Sequence, residues 1–193
     1  MAENSVVEYL DRLDSQREAL FASLADLDES SIWMRPAPRE WCIGEILSHT
    51  VRYFDSFLPG FRLWYGLFGW IGRLRRNHPY SVDIDNVYQR PHFPMWTGFL
   101  WPPRHTPKKP VSLATLRAEA EAAHRQVRAF YEDKDPAVLG NIYAYDPTIG
   151  VLNLITSLKV GVDHDELHYA DVQRMAASVR AGKWPPKVEG RQP

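Results

Sequence analysis

The sequence predicts an all-α protein, a four-helix bundle with a long proline- and aromatic-rich excursion between its second and third helices. Three observations carry that expectation. Apolar residues recur at steps of three, four and seven over four long stretches, the mark of helices with one buried stripe. The connections between those stretches hold prolines that a helix interior rejects. No alternating run of convincing length marks a strand. Four amphipathic helices bury their stripes most simply against one another. Residues 1–193 read as one domain, with 59–111 as an irregular insertion and 183–193 as a flexible C-terminal tail.

The first helix is expected over residues 5 to about 27, where Val6, Leu10, Leu13, Leu20, Leu24 and Leu27 form the stripe and Arg17 interrupts it. Residues 28–40 connect, because Pro36 and Pro38 push their predecessors out of the helical region. A second helix runs from about 40 to 58 with Cys42, Glu45, Ile46, His49, Tyr53 and Phe57 on its inner face, and Pro59-Gly60 ends or kinks it. Residues 61–76 carry a short helix. Pro91, Pro94, Pro102, Pro103, Pro107 and Pro110 then exclude a regular one, and an ordered excursion of that length is often functional. Ser112 caps a third helix to about residue 132, with Leu113, Leu116, Ala120, Ala123, Val127 and Phe130 as its apolar face. After a connection over 135–147, the fourth helix spans about 148–180, with Leu154, Leu158, Gly161, His164, His168 and Met175 near one face, and Gly182 and Pro185-Pro186 stop it.

Composition excludes several functions. A hydrophobic fraction of 45% and a charged fraction of 24% are those of a globular chain. A formal charge of -1, with basic residues massed only at Arg73-Leu74-Arg75-Arg76, gives no field for nucleic acid or an anionic membrane. The single cysteine, Cys42, rules out an internal disulfide and fits a reducing compartment. The polar opening Met1-Ala2-Glu3-Asn4-Ser5 reads as no signal peptide, so a cytoplasmic protein acting on a small-molecule substrate is expected. The aromatic run from Phe61 to Ile71 is too short to cross a bilayer. It reads as a pocket wall, lid or subunit contact ahead of a membrane-surface helix.

The histidines carry the chemistry. His164 and His168 are four residues apart on the longest helical pattern, so both rings lie on one face within reach of one cation. His49 is the best-placed third ligand. Three neutral imidazoles leave coordination positions open, as in catalytic rather than structural sites. Glu45, one turn before His49, is placed either to bond an imidazole or to sit favourably at a helix start. Cys42 reads as a small buried hydrophobe ahead of a soft extra ligand, and Tyr53 and Tyr169 as packing residues ahead of substrate contacts. His78, His92, His105 and His124 read as loop or surface residues. The string His164-Asp165-Glu166-Leu167-His168 approaches the zinc-protease motif HExxH, but Asp165 replaces the glutamate with a shorter arm, which argues against a protease. No Ser-His-Asp arrangement is evident.

The run from Trp33 to His49, with Trp33, Pro36, Pro38, Trp41 and an apolar turn before the histidine, resembles the entry to helix two in the DinB-like family of metal-binding helical bundles. The run Asp146-Pro147-Thr148-Ile149-Gly150-Val151, continuing to His164 and His168, resembles that family's helix four. The resemblance covers most of the chain outside 59–111. It implies His49, His164 and His168 as ligands of a divalent ion (Zn, Ni, Fe or Mn). Imidazole suits zinc, nickel, iron or copper by ligand type, and geometry selects among them. Members often carry glutamine three residues beyond the last histidine; here Asp171 stands there, able to orient a ligand ring from outside. The resemblance further implies transfer of a low-molecular-weight thiol to an electrophile. The alternatives are a metal-dependent hydrolase or a non-catalytic ligand-binding, stress-associated bundle. It also implies a homodimer.

Overall fold

The computed structural model describes residues 2–37, 40–91 and 110–183. In chain order the elements are α1 (Ala2–Ser23), α2 (Glu29–Trp33), α3 (Ile43–Leu74), a 3₁₀ turn (Val87–Gln89), α4 (Leu113–Tyr131), α5 (Pro136–Leu139), β1 (Tyr143–Asp146), β2 (Gly150–Asn153) and α6 (Leu154–Arg180). The four long helices pack in the cyclic order α1, α4, α3, α6, so α1 faces α3 across the core. The all-α expectation is met, with one small two-stranded sheet added.

Each long helix forms for reasons visible in its residues. On α1, Leu10, Leu13 and Leu20 are almost wholly buried, as is Leu24 just past its end, each removal from water favouring the fold by about 1.5–3 kcal/mol. The position that appeared to interrupt this stripe, Arg17, is buried with it. Ser112 caps α4 by accepting the Thr115 N–H, and Leu116, Ala120, Ala123, Val127 and Phe130 turn inward. Asn153 and Thr156 cap each other's backbone at the start of α6. The same Asn153 side chain donates to the Ser81 carbonyl, and Tyr9 donates to that of Val82, so side chains of α1 and of the residue capping α6 satisfy the non-helical connection after α3.

The structure departs from the sequence expectations at three places. The second helix does not end at Pro59 but continues to Leu74, so residues 59–74 leave the irregular insertion. Pro59 removes the hydrogen bond to the carbonyl four residues back, but Pro59, Gly60 and Asp55 all lie on the solvent side, where the freed carbonyl stays hydrated. Within the connection expected over 28–40, Asp28 caps the short α2. The fourth helix begins at Leu154 rather than near 148, because residues 143–153 form an antiparallel hairpin with Asp146 opposite Gly150. The Asp146 carboxylate accepts the Thr148 and Ile149 N–H groups across the turn, and Gly150, at φ 105, takes a conformation closed to most side chains. Strands of only four residues, those of β1 all exposed or half-buried, leave too little alternation to register in the sequence. Residues 92–109, about a third of the expected excursion, and 184–193, all but the first residue of the expected tail, lie outside the described residues.

Candidate metal centre

Two close approaches fix the site. Gly161 lies on α6 one turn before His164, and a Cβ there would stand 2.9 Å from the Phe54 ring and 3.5 Å from Tyr53. The missing side chain lets α3 and α6 come together at the level where both carry histidines. At the start of α3, a Cβ on Gly44 would meet the Trp33 indole at 2.8 Å, and that indole donates to the Val111 carbonyl at 2.8 Å. The tryptophan and glycine of the entry motif therefore set where α3 begins relative to α4.

His49, His164 and His168 come together as the sequence predicted. Their ring centroids are 5.1, 4.9 and 4.6 Å apart, and one ligand atom from each lies within 4.8 Å of the others. The Nε2 atoms of His49 and His164 are 3.2 Å apart. Two nitrogens on one tetrahedral cation, each at about 2.0–2.1 Å, stand about 3.3 Å apart, so this pair already has the spacing that a shared ion demands. His164 is buried, while His49 and His168 are half-buried and form the outer edge. Tyr53 stacks on His164 with centroids 4.0 Å apart and planes 16° apart, and Trp41 lies 4.8 Å from His49. Tyr88 adds a third wall 5.8 Å from His164, its hydroxyl facing that of Tyr53. Desolvation holds both phenols protonated, well above the ordinary tyrosine range.

Behind His164 the core holds polar residues that the sequence reading missed. The His164 Nδ1 meets the Asp165 carboxylate at 3.3 Å. The other carboxylate oxygen is 3.0 Å from Nε2 of His124, whose Nδ1 is 3.0 Å from the Arg17 guanidinium. Arg17 is in turn held by Asp14 at 2.5 Å, and Asp14 by Arg128. Asp165 is 0% exposed, His124 3% and Arg17 7%. Burial alone would raise the Asp165 pKa, but hydrogen bonds from His124 and His164 outweigh it and hold the carboxyl below its ordinary range. His124 is thus not the surface residue expected. A signal was present: residue 124 falls four after Ala120 and three before Val127, on the buried stripe of α4. The buried Tyr169 hydroxyl faces Asp165 and Thr50 without completing a hydrogen bond of ordinary geometry to either.

Other candidates fall elsewhere. Glu45 does not serve an imidazole: one oxygen accepts the Cys42 N–H at 3.0 Å, closing the α3 capping box, and the other pairs with Arg35. Cys42 is buried at that N-cap, its thiol pushed up to about 11 chiefly by burial, and it stands outside the histidine cluster. Asp171 pairs with Arg174 on the outer part of α6. His78 is exposed, and His92 and His105 lie outside the described residues. Among the described residues no helix is long and apolar enough to cross a membrane.

The donor set fits a divalent ion: three imidazoles, two of them half-buried, and a carboxylate beside the inner ring. No curated protein and no solved structure matches the chain significantly. A family model described as DinB superfamily matches residues 12–172, a span that takes in all three histidines. The chain belongs to the DinB superfamily.

Proposed function

We propose that this protein is a divalent-metal-dependent enzyme that transfers a low-molecular-weight thiol to an electrophilic substrate, with His49, His164 and His168 as the ligands. The observation that carries the reading is the convergence of three imidazoles from two helices, with the buried ring braced from behind and the other two half-buried. A bound divalent ion supplies Lewis acidity, which stabilises a thiolate near neutral pH or acidifies water. The chain's own residues do the rest. Tyr53 presses one face of His164, and the protonated Tyr53 and Tyr88 hydroxyls offer a neutral donor beside the inner ring, suited to an electrophile that gains negative charge as the thiol adds. Zn, Ni, Fe and Mn are the candidate ions, and the lone Cys42 supports a cytoplasmic setting.

Metal analysis of protein purified without a histidine tag tests the site. Replacing any one of His49, His164 or His168 by Ala is expected to remove most metal affinity and leave far-UV circular dichroism nearly unchanged. Binding that survives all three changes refutes the ligand set. Loaded protein is expected to turn over thiol–electrophile pairs first. Turnover of esters or amides with every thiol ignored transfers the reading to a hydrolase, and metal without any turnover favours a binding protein. We also read the exposed residues Leu63, Leu67, Trp70 and Leu74 of α3 as the contact of a homodimer, since their three-and-four spacing is that of a helix seam. A monomer in sedimentation at high micromolar concentration overturns that assignment.

A further inference from the structure

The buried polar chain behind His164 asks for an account that stability does not supply. Arg17 from α1, His124 from α4, and Asp165 and His164 from α6 run through the middle of the bundle, where apolar residues of the same volume would serve packing as well or better. Their hydrogen-bond chemistry permits a single assignment. A guanidinium only donates, so the Nδ1 of His124 that faces Arg17 is the acceptor and carries no proton. The proton of that neutral ring is then on Nε2, which donates to Asp165. An ionised carboxylate only accepts, so the Nδ1 of His164 donates to its other oxygen, and the Nε2 of His164 is left with a lone pair aimed at the cluster.

We propose that Arg17, His124 and Asp165 form a positioning relay that selects the Nε2 metal-binding tautomer of His164 and locks its ring orientation before any ion arrives. Arg17 sets the relay because its donors cannot be reversed, and Asp14 holds Arg17 in place. For the same reason the relay is no proton wire: its far end neither accepts nor releases a proton at accessible pH. The relay's importance for activity rests on the metal-site reading above, but its existence does not, because the tautomers are fixed in the metal-free protein.

Long-range proton–nitrogen spectra of metal-free protein carrying ¹⁵N-histidine read the tautomers directly. The expected result is His124 protonated on Nε2 and His164 on Nδ1, with no variant required. The reverse at either ring overturns the relay. In His124→Phe, His164 is expected to populate both tautomers and zinc affinity to fall about 10- to 100-fold, the usual cost of losing an outer partner of a ligand. His124→Gln is expected to restore both readouts, because one amide offers an acceptor to Arg17 and a donor to Asp165. Unchanged tautomer and affinity in His124→Phe, or no rescue by Gln in a folded variant, also overturns it. If His124→Phe does not fold, the wild-type spectra still decide. Correct tautomers in a protein that binds no zinc, nickel, iron or manganese would leave the relay standing and remove the metal reading.

Discussion

The two halves of α3 are one continuous helix, equally rich in apolar residues, and they meet opposite surroundings. The N-terminal half lies in the bundle: Ile43, Ile46, Leu47, Val51, Phe54 and Leu58 are buried, and His49 rides beside them toward α6. Past Pro59, Gly69 and Gly72 are buried, with Gly72 close against Val138 of α5, while Leu63, Leu67, Trp70 and Leu74 are each more than half exposed. Hydrophobic spacing identifies a helix in both halves but does not say what covers it. Coverage is decided by the partner helices, and among the described residues the outer stripe has none.

The largest expected effect separates the halves directly. Phe54→Ala should cost about 3–5 kcal/mol, because the ring fills the space that Gly161 leaves between α3 and α6. At protein concentrations low enough to keep the chain monomeric, Leu67→Ala should stay within about 0.5 kcal/mol. Urea unfolding followed by circular dichroism measures both, and equal costs would show that the outer stripe is covered within the monomer.

Glycine substitutions sharpen the contrast through the sign of the change. Gly161→Ala puts a Cβ 2.9 Å from the Phe54 ring and is expected to destabilise by about 1–3 kcal/mol. Gly66→Ala, where a Cβ meets nothing within 4 Å, should stabilise by about 0.5–1 kcal/mol through helix propensity. Two shifts of the same sign in urea midpoint would contradict the packing described at one of these sites.

The smallest effect is electrostatic. From Pro59 to Val82 the charged residues are Arg62, Arg73, Arg75 and Arg76, with no carboxylate, so acid sensitivity belongs to the bundle proper. Burial pushes Asp14 upward, but hydrogen bonds from Arg128 and Arg17 more than offset this and hold it below its ordinary value of 3.8. A carboxyl with a depressed folded pKa contributes stability that is full above the unfolded value and lost as pH falls through the folded one. Asp14→Asn should therefore lower the urea midpoint near pH 5 and flatten its decline between about pH 5 and pH 3. A decline as steep as wild type would place the sensitivity in other carboxyls.

What the sequence discloses follows from the range of the forces involved. Ser112 and the stripe from Leu116 to Phe130 are legible because capping and helical periodicity are local. The HxxxH pair is legible for the same reason, and His49 is found through the resemblance as much as through spacing. Pro59 misleads because its cost depends on whether the freed carbonyl is wet, a tertiary fact. Arg17, His124 and Asp165 are spread over three helices, and only packing makes them neighbours. Each taken alone looks like a polar residue breaking an apolar pattern, and the informative clue was that two of them do so at stripe positions.

The 3.2 Å approach of His49 to His164 has a topological consequence. The two residues are 115 apart in sequence, so a ligand shared by both rings closes a loop about three-fifths of the chain long. In the chain-entropy treatment of cross-links, such a closure disfavours the unfolded ensemble by about 5 kcal/mol, as much as a long-range disulfide. A protein whose one cysteine cannot form an internal disulfide would thereby gain a reversible tie. Its grip would tighten and loosen with the supply of the ion, and the lifetime of the folded chain would report on that supply.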